Sequence, residues 1–560
     1  MLRFSALLAL IACAANSLQA QLLQGTVVDS AARRPVAGSI VMALDAGGAS
    51  VARTITNQRG GYRLTVPATA RIIRVLHIGF RPSGAAVPAF VNGAAQLDVT
   101  LSLLGTVLDV IEVHDNPNCT VRPDRAQALA LWEQARQGLL AMVVAREAMP
   151  ARLKRLRYER TMDGTSDRIV RQEVTVDMVT GAARTFQASR SAQEFVRDGF
   201  VDQRTAMWTY YAPDADVMLE DAFFAGYCFR VMEPQRSHAG QVGVGFAVAK
   251  HRAGNVDIDG AFWIDTTARA LTSIEFRYVG LEKQMERYRP GGRVEFREMS
   301  NGLVLIDRWA LRLLAVRLDT SYVERERARN LGSALQAQER ATFEVHETGG
   351  ELASATWPDG VRWHASLGSL QLEAQMQAGG AAIGTAVSLE HTNYRARVDS
   401  SGTLVFNDLL PGPYRLIVHD TLLAQIGVTL KTPVEFVAAR DSVYHASLIV
   451  PTAWDYALSL CREPKSNSSV AFFAYITTAT GIPVSDGEVK EMRKLSLETA
   501  QWSATAFGGP PDVGGRYFSC WRYDRVDTVQ IWVRRPGKQP ALTLKALAGR
   551  VNVVRIVLPP

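Results

Sequence analysis

Asn57-Gln58-Arg59-Gly60-Gly61-Tyr62-Arg63-Leu64-Thr65-Val66 decides the fold of the amino-terminal part of the chain. It reads as a tight turn running into a strand, because Tyr62, Leu64 and Val66 recur every second residue and share one face. The same grammar repeats outward from it. Gly25-Thr26-Val27-Val28-Asp29 is a strand ending in a polar turn, and Arg34-Pro35-Val36-Ala37-Gly38 follows. Ser39 to Leu44, Ile72 to Ile78 and Leu97 to Leu103 complete the set. Short strands with regularly spaced turns predict a small β-sandwich over residues 21–104.

The order Gly-x-Val-x-Asp, Pro-x-x-Gly, Gly-Tyr-x-Leu and then His77-Ile78-Gly79-Phe80 resembles the carboxypeptidase regulatory-like domain, a transthyretin-like sandwich. Arg59-Gly60-Gly61 stands where Asp-Gly is common in that family. The pattern returns over 366–450. There Gly368 to Leu372 opens a strand, Asp399 to Phe406 is turn plus strand, and Leu410-Pro411-Gly412-Pro413-Tyr414 resembles the family's Leu-Pro-Pro-Gly-x-Tyr hallmark. A divergent third copy is expected over 451–560, on Thr480 to Val484, Gly514 to Phe518 and Val529 to Val533. Its opening strand, near Val470 to Ile476, lacks the Gly-x-Val-x-Asp form.

Residues 118–345 read differently. Asp124 is placed as the N-cap of a helix in which Ala128, Leu131, Trp132, Ala135, Leu139, Met142 and Val143 recur at three-to-four spacing. Strand patterns follow Pro150, and Asp259-Gly260 between two of them signals a hairpin. One long helix with eight or more antiparallel strands predicts an α+β domain with a curved sheet. Phe262 to Asp265 followed by Leu271 to Phe276 is similar to a hairpin of periplasmic lipoprotein-carrier half-barrels. The expected fold class is therefore mostly β, with three sandwiches flanking one α+β domain. Residues 105–117 and 346–365 are expected as linkers.

Arg3, an apolar run from Phe4 to Ala15 and Ala20 before Gln21 describe a signal peptide over residues 1–20. This predicts export to the periplasm, the outer membrane or the exterior. Leu10-Ile11-Ala12-Cys13 is a rival lipobox, with Cys13 as the acylated residue. Cys119, Cys228, Cys461 and Cys520 then remain, an even number in an exported chain. Four cysteines allow three connectivities, of which pairing within modules gives Cys119–Cys228 and Cys461–Cys520.

Apolar residues make up 47% of the 560 and charged ones 21%, which excludes a disordered or collagen-like chain. The net charge of +7 is spread without a basic run, so no nucleic-acid partner is expected. None of the nine histidines lies in a zinc-protease spacing, and neither a Gly-x-Ser-x-Gly elbow nor a phosphate loop occurs. No cofactor is therefore expected. Asn255 to Gly260 imitates half of an EF-hand, but Thr266 stands where the bidentate Glu is required. Glu324 to Arg329 alternates in sign and reads as a solvated face. Trp208, Tyr210, Tyr211 and Phe224, interleaved with Asp214, Asp216, Glu220 and Asp221, are candidates to line an apolar or glycan site. Packing around Cys228 is the competing role.

The leading expectation is an exported, non-enzymatic binding or scaffold protein of the bacterial envelope, with an acyl or glycan ligand or an envelope partner. Leu104 to Val113 follows the first sandwich as a coupling segment would, so an accessory of an outer-membrane uptake system is the second reading. A hydrolase assembled from distant residues is the third.

Overall fold

The structure is a computed structural model. It describes residues 21–104, 119, 123–164, 166, 168–180, 190–203, 208–250, 254–317, 342–461, 469–485, 488–495, 503–509, 511–522, 526–534, 541–545, 547 and 549–558. The expected signal peptide and lipobox, the 105–117 linker and the Glu324–Arg329 stretch lie outside these residues. The described chain forms two compact units, one reaching to Ala365 and one from Ser366 onward, with Gln172–Val174 counted in the second.

The first unit opens with β1 (Gln21–Asp29), β2 (Ile40–Leu44), β3 (Ser50–Ile55), β4 (Gly61–Val66), β5 (Ile72–Leu76), β6 (Ser83–Ala86), β7 (Ala94–Gln96) and β8 (Val99–Leu101). One sheet is β4-β1-β7 with β8 also paired to β1, and the other is β3-β2-β5-β6. Leu23, Val27, Tyr62, Leu64 and Val66 from the first meet Val41, Ala43, Ile73 and Val75 from the second in one closed core. The turn before β4 forms for a local reason. Asn57 Oδ1 accepts from the N–H groups of Arg59 and Gly61, both at 3.0 Å, and Gly60 takes φ +70°.

Next come α1 (Arg125–Ala148), β9 (Arg152–Met162) and β10 (Ile169–Thr180). After the short pair β11 (Val201–Asp202) and β12 (Thr209–Tyr210) run β13 (Tyr227–Val231), β14 (Gln241–Val248), β15 (Asp257–Asp265) and β16 (Ala270–Val279). β17 (Gly291–Glu298), β18 (Val304–Arg317), β19 (Thr342–Thr356) and β20 (Arg362–His364) complete the unit. The large sheet has the order β10-β9-β19-β18-β17-β16-β15-β14-β13, with β20 on β19. Its ladders from β9 across to β13 are antiparallel, and register shifts in β15, between β17 and β18, and in β19 bend it.

α1 buries more than the single stripe its spacing predicts. Leu131, Trp132, Ala135 and Leu139 enter the sheet's core, while Val144 and Ala145 pack with Ile40, Met42 and Leu44 of the first sandwich. A Cβ on Gly138 would lie 2.8 Å from Leu271 and 2.9 Å from Ile78, so the helix needs glycine where it touches both neighbours. Asp124 flanks α1 without capping it through its side chain; Oδ2 instead accepts from Val231 N–H at 3.1 Å.

Two expectations are corrected here. Asp259-Gly260 is not a turn, because β15 runs straight through it, pairing Gly260 with Phe246 and Phe276. A Cβ there would overlap Glu275's carbonyl and the Phe246 ring, so glycine serves close approach within the sheet. The reversal comes after Asp265, whose Oδ1 accepts from Thr267 and Ala268 N–H, both at 2.7 Å. Residues 346–365 are not a linker either. β19 passes through Gly349-Gly350 between β9 and β18, where a Cβ on Gly349 would overlap Tyr158 and one on Gly350 would lie 2.7 Å from Trp309 Nε1.

The second unit contains β21 (Gly368–Met376), β22 (Ala386–Leu389), β23 (Arg395–Arg397), β24 (Thr403–Leu409), β25 (Gly412–His419), β26 (Leu430–Ala438) and β27 (Val443–Val450). The helix Ala453–Leu460 leads to β28 (Ser469–Thr478), β29 (Glu488–Leu495), β30 (Ser503–Gly509), β31 (Arg516–Arg522), β32 (Val526–Arg534), β33 (Ala541–Lys545) and β34 (Val551–Leu558). Sheets β24-β21-β27 and β31-β28-β34 face sheets β23-β22-β25-β26 and β30-β29-β32-β33 in the strand order of the first sandwich. In all three modules the opening strand pairs parallel with the last, as β1–β8, β21–β27 and β28–β34. The Asn57 turn also recurs. Asp399 accepts from Ser401 and Thr403 N–H and Asp512 from Gly514 and Arg516 N–H, with Gly402 and Gly515 at positive φ. The molecule is mostly β, as its strand grammar predicts.

Candidate functional site

The sequence singled out Trp208, Tyr210, Tyr211 and Phe224 as one cluster. The structure divides them. Trp208 meets Tyr210 at 6.5 Å between ring centroids, and Tyr210 meets Tyr278 at 5.2 Å. Tyr211 lies under the Arg190 guanidinium, 4.2 Å away, and its hydroxyl accepts from Arg190 at 2.8 Å. Phe224 turns the other way, to Trp132 and Phe229. All four are half-buried against the core of the large sheet. Burial pushes the Tyr210 phenol up to about 12.

The neighbouring acids hold backbone and helices together. Asp214 caps α2 (Ala215–Met218) through Val217 N–H at 3.0 Å, Glu220 accepts from Ala192 N–H at 3.0 Å, and Asp216 pairs with Arg146 at 3.2 Å. Cys119 is bonded to Cys228 in β13, and Cys461 to Cys520 in β31. Among the described residues, no group of three His, Cys, Asp or Glu side chains could hold a metal ion.

An apolar recess lies elsewhere in the first unit, under the carboxyl-terminal half of α1. Met142, Ala145, Met149, Leu153, Leu303, Leu305, Ile306 and Leu352 supply its apolar walls. Arg146, Arg155, Asp307, Glu351 and Trp357 also line it. It holds about 770 Å³ of empty space, part of it open to solvent.

The cleft exists because β18 changes allegiance along its length. Ile306 packs against the core of the large sheet, whereas Leu305 packs with the residues shared between α1 and the first sandwich. The seam between those two cores is left open. Arg155 comes from β9 beside Leu352 of β19. Its Nε is buried without a hydrogen-bond partner, and burial lowers the side chain's affinity for its proton against the opposing pull of Asp177. Sequence reasoning missed this cleft. Its walls come from α1, β9, β18 and β19, and no local spacing brings those segments together.

Residues 23–102 match the family model of the carboxypeptidase regulatory-like domain. The match spans β1 to β8. No curated protein matches the chain. Among solved structures, a streptococcal ancillary pilin is 13% identical, with 44% of this chain and 91% of that one covered and a TM-score of 0.16. The TIE protein of Bacillus anthracis is 10% identical over 63% of this chain and 62% of its own, with a TM-score of 0.16. The major pilin subunit of Bacillus cereus is 8% identical over 77% and 99%, with a TM-score of 0.13. Scores of this size establish no shared fold for the whole chain. Among the described residues no helix is long and apolar enough to cross a membrane.

Proposed function

We propose that the chain is an exported, non-enzymatic binding protein of the bacterial envelope that holds a ligand with a long apolar chain under α1. The cleft carries this reading: apolar side chains line most of a concave recess, and small apolar ligands prefer concave, largely apolar sites with a few polar groups. The sandwiches act as scaffold, and their closed cores suit that role. The amino-terminal Arg3 to Ala20 pattern supports export.

Displacement of a neutral pyrene-labelled alkyl probe by hexadecanol tests the reading on the full chain. Saturable binding should weaken about tenfold or more in Leu305→Trp, since filling the cleft removes several methylene contacts worth about 0.8 kcal/mol each. The unfolding midpoint should stay close to that of the parent. Should Trp208→Ala weaken binding while Leu305→Trp leaves it unchanged, the ligand sits at the aromatic cluster instead.

A further inference from the structure

The polar atoms of the cleft point to what its ligand carries at one end. Arg146 Nε, Arg155 Nε and Trp357 Nε1 are buried without a hydrogen-bond partner, and all three belong to residues lining the cleft. Each is an N–H donor. Trp357 is only 3% exposed, so water does not offer an easy substitute. Of the acids around the cleft, Asp216 holds Arg146 at 3.2 Å, Asp307 holds Arg297 through Oδ2 at 2.9 Å while its buried Oδ1 accepts no hydrogen bond, and Glu351 has interactions of its own. Arg155 forms no ion pair among the described residues, although the Asp177 carboxylate lies near enough to favour its charge.

We propose that the cleft takes a fatty acid, whose carboxylate is received by the Arg155 guanidinium among these donors while its alkyl chain lies along Met142, Leu305 and Leu352. This rests on the reading that the cleft binds apolar chains, and adds the chemistry of the head. A carboxylate accepts several hydrogen bonds and offers a charge-assisted pair to a guanidinium that forms no ion pair among the described residues. An alcohol accepts fewer and carries none. A quaternary ammonium offers nothing to an N–H donor and repels the guanidinium.

The experiment compares palmitate, hexadecanol and hexadecyltrimethylammonium on the full-length protein by isothermal titration, each below its micellar concentration and at a pH where palmitate is ionised. Palmitate should bind between about ten- and a hundredfold more tightly than hexadecanol, the span expected for one charge-assisted hydrogen-bonded pair. Arg155→Gln should erase that preference, and Arg155→Lys should restore part of it. Trp357→Phe should lower palmitate affinity more than hexadecanol affinity. Equal binding of palmitate and hexadecanol would overturn the head assignment while leaving the apolar reading intact. Tighter binding of the ammonium would overturn it too, by showing that Glu351 governs the cleft. Failure of all three to bind would remove both readings.

Discussion

The sandwiches and the large sheet bury polar groups in opposite ways. Among the described residues of the first and second sandwiches, every buried side-chain nitrogen and oxygen has a hydrogen-bond partner. Tyr62 donates to Leu97's carbonyl at 2.7 Å and Tyr414 to Leu410's at 2.9 Å, each closing off its own core. The helix-and-sheet part of the first unit leaves donors at Gln134, Gln137, Arg146, Arg155, Trp263, Asn301 and Trp357 without one. Folded proteins carry few such groups, and each calls for a ligand, a water or a strain that explains it. The difference teaches where to look for function: a core with every partner in place is a scaffold, and one with idle donors beside a cleft is prepared for something else.

The largest expected effect sharpens the contrast by cutting the covalent tie in each region. Replacing Cys119 and Cys228 by serine should cost roughly 5 kcal/mol less native strain, and replacing Cys461 and Cys520 about 0.5 kcal/mol less, because the closed loops span 109 and 59 residues. Denaturant titrations of the two double variants measure both. A negligible loss for the first pair would mean that the sheet holds β13 and the start of α1 without help.

Close approach inside the sheets is next. Gly25→Ala in the first sandwich and Gly260→Ala in β15 both push a methyl into a carbonyl, of Leu97 and Glu275 respectively. Each should lose about 3 kcal/mol by thermal unfolding. If Gly260→Ala is neutral, β15 does turn at Asp259-Gly260 and the sheet order is wrong.

Space itself separates the regions more finely. Leu64 is 4% exposed in a closed core, so Leu64→Trp should cost about 2 kcal/mol, whereas Leu305→Trp should cost less than about 1 kcal/mol by filling the cleft. Equal losses would erase the distinction.

The smallest effect is in pH. Burial holds His77 below its ordinary 6.5, with its ring 2.8 Å from the Ile78 carbonyl. A depressed folded value means that its contribution is present above 6.5 and is lost as pH falls through that point, when the buried ring must charge. Melting temperatures between pH 7 and 5 should fall less steeply in His77→Asn. In the second sandwich Asp399, held down to about 2 by Ser401 and Thr403, should keep its turn until pH drops below 3.8 toward 2.

What the residues determine alone is whatever is settled within a few positions of the chain. Alternation placed β4 and β24, and the Asn57, Asp399 and Asp512 turns close through their own side chains and the next four residues. The Asx spacing, with glycine three residues on, also relates the divergent third module to the first. Pairing cysteines within modules gave the two bonds the structure contains. The tertiary structure decided the rest. Gly260 and Gly349-Gly350 look like turn or linker glycines until Phe246, Glu275, Tyr158 and Trp309 arrive from distant strands to occupy the space a side chain would need. The aromatic segment looks like one cluster until its rings are claimed by Tyr278, Arg190 and Trp132 in different directions. The cleft has no local signature, because an idle donor is defined by the absence of a partner, and partners come from anywhere in the fold.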